Sequence, residues 1–226
     1  MKLPFTRAFK EAGPFGTLVG VHLPQEQEDA PPGALEALHP LERELALSLA
    51  PRRRCEWIGG RLALRGAAAE LGIELAPVLR GPRGEPLLPS GWSGSISHKR
   101  RLAVAVLAPG SDGTLGIDLE ELLPERMAIR QKILRPEEEE QVQGLPEARR
   151  WDAVLARFAV KEAVYKALHP HVNRFVGFHE ATVDGEVEGE PRVRLHLREE
   201  EGAFRVEAMA QKRDGLLIAQ VRLSRA

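Results

Sequence analysis

Apolar and polar positions in this 226-residue chain follow two rhythms, one helical and one of strand alternation. Between residues 35 and 71 apolar side chains recur every three to four positions, with a break near Pro51. His39-Pro40 and Pro51 are natural helix starts and Gly72 a stop, so the pattern predicts one short and one long helix. Residues 136–143 form an acidic helical stretch. Residues 151–168 are strongly periodic and end at His169-Pro170. Strands are predicted at 18–23, at 102–107 with Ser95 to His98 leading in, and at 115–120. Pro24 ends the first of these in an acidic, Pro-rich loop through Gly33. Residues 80–94 read as loop from their Gly and Pro content. From Ala181 onward short alternating segments at 193–197, 204–209 and 216–223, joined by Glu/Gly and Asp214-Gly215 turns, predict an antiparallel meander.

The turn at Pro109-Gly110-Ser111-Asp112-Gly113 divides this pattern into an N-terminal half, 1–110, and a C-terminal half, 111–226. The halves carry a weak internal repeat at an offset of 96. Pro40 matches Pro136, Glu42 matches Glu138, Arg53-Arg54 match Arg149-Arg150, and residues 61–65 match 157–161. Two amphipathic Arg/Ala/Leu helices can also produce such matches without common descent. If real, the repeat means two similar mixed α/β halves (α+β) in pseudo-twofold arrangement, with a site in the cleft between them.

Composition narrows the function classes. With 43% hydrophobic and 29% charged residues, the chain is neither disordered, fibrous nor membrane-embedded. Its 32 Lys and Arg nearly balance 33 Asp and Glu, so no bulk field draws it to nucleic acid or to an anionic membrane. Any anion must be met by a local basic cluster. The single cysteine, Cys55, permits no intrachain disulfide and reads as a small apolar helix residue. Pro4, Arg7, Lys10 and Glu11 break up the apolar run that a signal peptide would need, and the cytoplasm is the expected compartment.

Four clusters could carry chemistry. On the helix at 151–168, Trp151, Val154, Leu155, Phe158 and Tyr165 fall on one stripe, with Glu162 in its middle. A carboxylate placed there is costly unless it is paired, hydrogen-bonded or bound to a cation, and Lys166 at i+4 is a candidate partner. In the strand at 115–120, alternation puts Leu115, Ile117 and Leu119 on one face and Asp118 with Glu120 on the other. Two adjacent carboxylates suit an all-oxygen cation such as Mg²⁺, although a solvated strand end is the plain alternative. Ser95-Ile96-Ser97-His98-Lys99-Arg100-Arg101 is a local anion site, and adjacent Ser97 and His98 point apart on an extended chain, which disfavours a Ser–His hydrolase. Arg61 and Arg65, at i and i+4 after Arg52-Arg53-Arg54, could grip phosphate or form a solvated basic face. The histidines show no zinc-ligand spacing.

In order, Ser95-Ile96-Ser97-His98, Gly116-Ile117-Asp118-Leu119-Glu120 and Phe158-Ala159-Val160-Lys161-Glu162-Ala163-Val164-Tyr165-Lys166 resemble the signature of the surfactin-type group of the 4′-phosphopantetheinyl transferase superfamily. The likeness extends to Leu38-His39-Pro40-Leu41-Glu42, Gly60-Arg61 and Gly84-Glu85-Pro86. The resemblance implies a monomer of two similar α/β halves with a coenzyme A cleft between them. It also implies Mg²⁺-dependent transfer of the 4′-phosphopantetheine arm of coenzyme A to a serine of an acyl or peptidyl carrier protein, with release of 3′,5′-ADP. Asp118, Glu120 and Glu162 would hold the metal, with Asp118, Glu162 and Lys166 in the catalytic set and Glu162 the base. Arg61, Arg65, Gly84, Glu85, Pro86, Ser97, His98 and Lys166 would bind coenzyme A. Many relatives carry Lys where this chain has Glu85, and Trp where it has Phe158. The competing readings are another metal-dependent phosphohydrolase, and a non-catalytic module that binds coenzyme A or a carrier.

Overall fold

The first three helices each begin on a proline, where the missing N–H removes no helical hydrogen bond: α1 (Pro32–Glu36), α2 (Pro40–Leu47) and α3 (Pro51–Glu70). Two short helices therefore precede the long one, where the periodicity predicts one. Pro40 is the reason, because the residue before a proline is driven out of the helical region, and His39 leaves it at φ −59, ψ 145 to cap α2. The computed structural model describes residues 5–24, 29–172, 174–185 and 189–226. Residues 25–28 of the predicted Pro-rich loop and 186–188 of a predicted Glu/Gly turn lie outside the described residues.

The chain divides into two compact units, Met1–Ser111 and Asp112–Ala226. In the first, β1 (Arg7–Gly13), β2 (Gly16–His22), β3 (Trp92–Lys99) and β4 (Leu102–Pro109) form a sheet in the order β1-β2-β4-β3, each pair antiparallel. α3 packs on this sheet, burying Ala63, Leu64 and Ala67 against Val19, Val21, Ala105 and Leu107. Trp57 and Ile58 of the same helix close a second cluster with Leu38 and Ala46. The strand β1 has no apolar alternation to announce it, since it is a largely exposed edge.

The second unit runs β5 (Thr114–Glu121), α4 (Arg130–Ile133), α5 (Pro136–Gln143), α6 (Glu147–Val172), β6 (Ala181–Asp184), β7 (Arg192–Leu195), β8 (Phe204–Arg213) and β9 (Leu216–Arg225). Its main sheet has the order β5-β9-β8, and β6 with β7 makes a separate pair. The predicted meander is thus split, and only the β8–β9 hairpin survives as drawn. Asp214 and Gly215, both at positive φ (49° and 78°), form the mirror-image turn whose twist matches the strands. α6 covers this sheet with Val160, Ala163, Val164 and Ala167 among the buried residues of the unit's core. Each fully buried Val or Leu contributes about 1.5 to 3 kcal/mol. α6 runs through Pro170 to Val172, past its predicted end, because a proline in the last turn removes one hydrogen bond and interrupts no further helix.

The repeat is visible in both topology and bonding. In each unit a strand, short helices, a long helix and a hairpin follow in turn, and the hairpin's second strand pairs with the first: β2-β4-β3 and β5-β9-β8. Glu42, fully buried, accepts from the His39 and Val78 main-chain N–H groups and from Arg65. Glu138, also fully buried, accepts from the Arg135 and Val183 N–H groups and from Lys161. Residues 39, 42 and 65 match 135, 138 and 161 at the offset of 96 read from the sequence. Two unrelated amphipathic helices have no reason to share a buried carboxylate with the same three kinds of donor.

Candidate active site

In the second unit β5 lies against α6, and Gly116 lets them meet. A Cβ at that position would stand 1.9 Å from the Ala163 carbonyl oxygen, a contact that main chain cannot relieve. Alternation then places Asp118 and Glu120 on the same side of the strand as Gly116. They are 6% and 7% exposed, so this is no solvated strand end. Lys166 donates to Asp118 Oδ1 at 2.7 Å and to the Ile117 carbonyl at 2.8 Å. Its partner is therefore Asp118 across the strand–helix contact, where helical spacing suggested Glu162. Arg126 stands 3.8 Å from Glu120.

Glu162 is one turn before Lys166, half-buried. Its carboxyl is pushed above the usual range, first by burial and then by the charge of Asp118, with Glu120 adding and Lys166 opposing. No hydrogen bond is among the causes acting on it. The stripe that carries it is divided: Trp151, Val154 and Leu155 enter the core, whereas Glu162 and Tyr165 line a cavity of about 180 Å³ closed by Phe175 to Phe178. Phe158 packs at 5.6 Å from Phe178 and Tyr165 at 5.8 Å from Phe175.

Among the described residues no three His, Cys, Asp or Glu side chains are already gathered as a set that could hold a metal ion. Yet the three carboxylates feel one another, since Asp118 and Glu120 both raise Glu162. As donors they are hard oxygens, the set that suits Mg²⁺. The Lys166 ammonium on Asp118 offsets part of their repulsion.

In the first unit, β3 alternates as predicted: Ser95 and Ser97 are buried and His98 is half-buried. His98 Nδ1 lies 3.6 Å from Glu56 Oε1 of α3, and the same carboxylate takes Arg52 Nε at 3.3 Å and Arg53 NH1 at 2.6 Å. Glu56 thus gathers an imidazole and two guanidinium groups, a role that its position in an Arg-rich stretch did not announce. Arg52 and Arg53 keep more than half of their side-chain surface open, 55% and 59%. Arg61 is buried over the Trp57 ring at 3.5 Å and donates to the Val78 and Leu79 carbonyls; burial pulls its pKa down to about 10. Arg65 donates to the Leu75 carbonyl and to Glu42. Both forks hold the segment that follows α3.

Gly84, Glu85 and Pro86 form a tight turn. The Gly81 N–H donates to the Glu85 carbonyl, Arg80 bridges Pro86, and Gly84 adopts φ 97°. The Glu85 carboxylate accepts from the Arg83 N–H. Cys55 is buried, and burial first among its causes pushes its thiol up to about 11, as suits a packing residue. His39 caps α2, and His171 and His196 bond to Thr114 and Thr182.

Comparison with known proteins adds a second line of evidence. A family model described as the 4′-phosphopantetheinyl transferase superfamily matches residues 114–221, and one described as the 4′-phosphopantetheinyl transferase N-terminal domain matches residues 41–108. The chain is 35% identical over 189 residues to the 4′-phosphopantetheinyl transferase PptT of Mycobacterium tuberculosis, covering 76% of this chain and 79% of that one. It is 36% identical over 153 residues to the 4′-phosphopantetheinyl transferase Npt of Nocardia iowensis, covering 66% and 67%. A holo-(acyl-carrier-protein) synthase from Bacillus anthracis, solved in complex with CoA (3′,5′-ADP), is 26% identical, with 50% of this chain and 96% of that one covered at a TM-score of 0.41. Among the described residues no helix is long and apolar enough to cross a membrane.

Proposed function

We propose, since this chain belongs to the 4′-phosphopantetheinyl transferase superfamily and is an enzyme of that kind, that it transfers the 4′-phosphopantetheine arm of coenzyme A to a serine of an acyl or peptidyl carrier protein. The serine oxygen bonds to the β-phosphorus, the bond from that phosphorus to the bridging oxygen breaks, and 3′,5′-ADP leaves with that oxygen. The serine proton goes to a base. The observation that carries this reading is the convergence of Asp118, Glu162 and Lys166, with Glu120 within electrostatic reach.

Glu162 is the base. A carboxylate set beside Asp118 and Lys166 can take the serine proton directly or through a water. Asp118, Glu120 and Glu162 would hold Mg²⁺, which would supply charge neutralisation at the pyrophosphate. Lys166, set by Asp118 and the Ile117 carbonyl, steadies the phosphate and the leaving oxygen. His98, with Arg52 and Arg53 on the shared Glu56, offers hydrogen-bond donors to a coenzyme A phosphate, the two guanidinium groups adding positive charge. Ser97 and the Gly84-Glu85-Pro86 turn join that binding set, the turn through main chain because Glu85 brings no positive charge. Arg61 and Arg65 contribute through the main chain that they hold, and the more exposed Arg52 and Arg53 take the 3′-phosphate side. The enzyme acts as a monomer in the cytoplasm.

The test is incubation with coenzyme A, Mg²⁺ and a panel of apo-carrier proteins, read as the mass gain of the carrier. Transfer to at least one carrier is expected, and Asp118→Ala should abolish it while leaving the circular dichroism spectrum unchanged. Release of inorganic phosphate with no carrier modified would identify a phosphohydrolase, and binding of coenzyme A without turnover a non-catalytic module. Either outcome would overturn the proposal.

A further inference from the structure

The cavity beside Glu162 has one regular wall, α6, and one irregular wall, residues 175–178. Main-chain pairing holds little of the second wall: among the described residues it lies outside every strand, only Phe178 enters a helical turn, and the Gly177 carbonyl accepts from the Glu180 N–H. Apolar burial holds it in part: Val176 is buried, but Phe175 is 73% exposed. What fixes it is one guanidinium group. Arg174 donates from Nε and NH2 to both oxygens of Glu201, at 2.5 and 2.8 Å, and from NH1 and NH2 to both oxygens of Glu180, at 2.9 and 2.6 Å. Its remaining N–H reaches the Phe175 carbonyl at 2.8 Å.

All five donors of the fork are therefore used, and two carboxylates are held side by side by one cation. Glu180 in turn accepts from the Gly177 N–H at 2.9 Å, and its own N–H donates to the Gly177 carbonyl. Residue 174 is thus tied to residue 180 with the cavity wall between them. Glu201 anchors the pair to the turn before β8 and accepts from the Arg198 N–H. The two carboxyls are held below their usual range, Glu201 at about 2, with the bond from Arg174 the largest cause for each. The clamp therefore stays fully charged at neutral pH.

We infer that Arg174 is a positioning residue for the transfer reaction, holding residues 175–178 as the wall of the cavity at Glu162 through its joint grip on Glu180 and Glu201. The inference rests on the proposed activity of that site. A flexible wall would have to be ordered each time substrate binds, and the entropy lost then would appear as weaker binding and not as slower chemistry. Lys cannot substitute, since its ammonium group has three donors and no planar fork.

The experiment compares the full-length protein with Arg174→Ala, Arg174→Lys and Glu201→Gln. Arg194→Ala, which removes an exposed pair with Asp184, is the control. Each is measured for coenzyme A affinity by calorimetry, for KM and kcat of carrier modification, and for hydrogen exchange at the Gly177 and Glu180 amides. Arg174→Ala should raise both the dissociation constant and KM for coenzyme A by about tenfold or more while kcat stays within about threefold. Arg174→Lys should resemble Arg174→Ala, Glu201→Gln should fall between, and the control should match wild type. Should Arg174→Ala not fold, Arg174→Lys and Glu201→Gln carry the same reading. Faster exchange at both amides with affinity and KM unchanged would overturn the inference, as would a fall in kcat with KM unchanged. A wild-type protein that binds coenzyme A yet modifies no carrier would overturn the proposed function instead, and the calorimetric arm would still decide the clamp.

Discussion

Glu162 is half-buried within electrostatic reach of Asp118 and Glu120, and burial together with those charges lifts its carboxyl above the usual range while Lys166 opposes. A carboxyl whose folded pKa exceeds its unfolded value binds its proton more tightly in the folded state. It therefore weakens the fold at neutral pH, and the loss is recovered as pH falls through the folded pKa towards about 4.3, the unfolded value. Glu162→Gln should melt higher than wild type at pH 7 in the presence of a chelator, and the difference should close as the pH is lowered through that window. The same substitution should cost about 10²-fold or more in transfer rate, measured as carrier mass gain against time. A variant that is both no more stable and fully active would remove Glu162 from the site. The sequence placed this residue correctly on its stripe, because a helix repeats every 3.6 residues whatever it packs on. That the later part of the stripe also borders a cavity was not legible, because the wall it meets comes from residues 175–178. Lys166 teaches the same lesson: sequence spacing offered Glu162 as a partner, and the strand–helix contact supplied Asp118.

Strand and helix meet at Gly116, where any side chain would drive into the Ala163 carbonyl. Gly116→Ala must separate β5 from α6 and with them Asp118 from Lys166 and Glu162. The expected outcome is a fall of about 10²-fold or more in transfer from a displacement near 1 Å, accompanied by a lower melting temperature. An alanine variant with normal turnover would show that the contact does not set the site. The elements themselves were largely readable. Proline at the first helical position, alternation in β3 and the Asp214-Gly215 turn are local signals that act within a few residues. β1 and the pairing of β6 with β7 were not, since an exposed edge strand carries no apolar alternation and pairing partners are chosen by the rest of the sheet. The Arg174 clamp belongs here as well: its partners stand 6 and 27 positions away, beyond any helical or strand period.

At the scale of the whole molecule, each unit is built around one fully buried carboxylate that ties its short helix to its long one, Glu42 with Arg65 and Glu138 with Lys161. Removing one partner of a buried pair leaves the other uncompensated and costs about 3 to 5 kcal/mol. Glu138→Gln should approach that loss, since Lys161 is almost fully enclosed at 1% exposure. Glu42→Gln should cost less, because Arg65 keeps 26% of its side-chain surface open. Hydrogen exchange should place the first loss in α5 and α6 and the second in α2 and α3. The double variant should lose the sum within about 0.5 kcal/mol, as the two pairs share no partner. By itself the sequence determined the family and most of the helices and strands, because propensity, period and motif order are properties of neighbours along a chain. Tertiary structure alone decided that Arg61 donates to main chain and that Arg65 divides its donors between main chain and Glu42, that Glu56 gathers His98 with two arginines, and that Lys166 serves Asp118. A charge takes its partner from whatever the fold brings within a few ångströms, and separation in sequence does not enter.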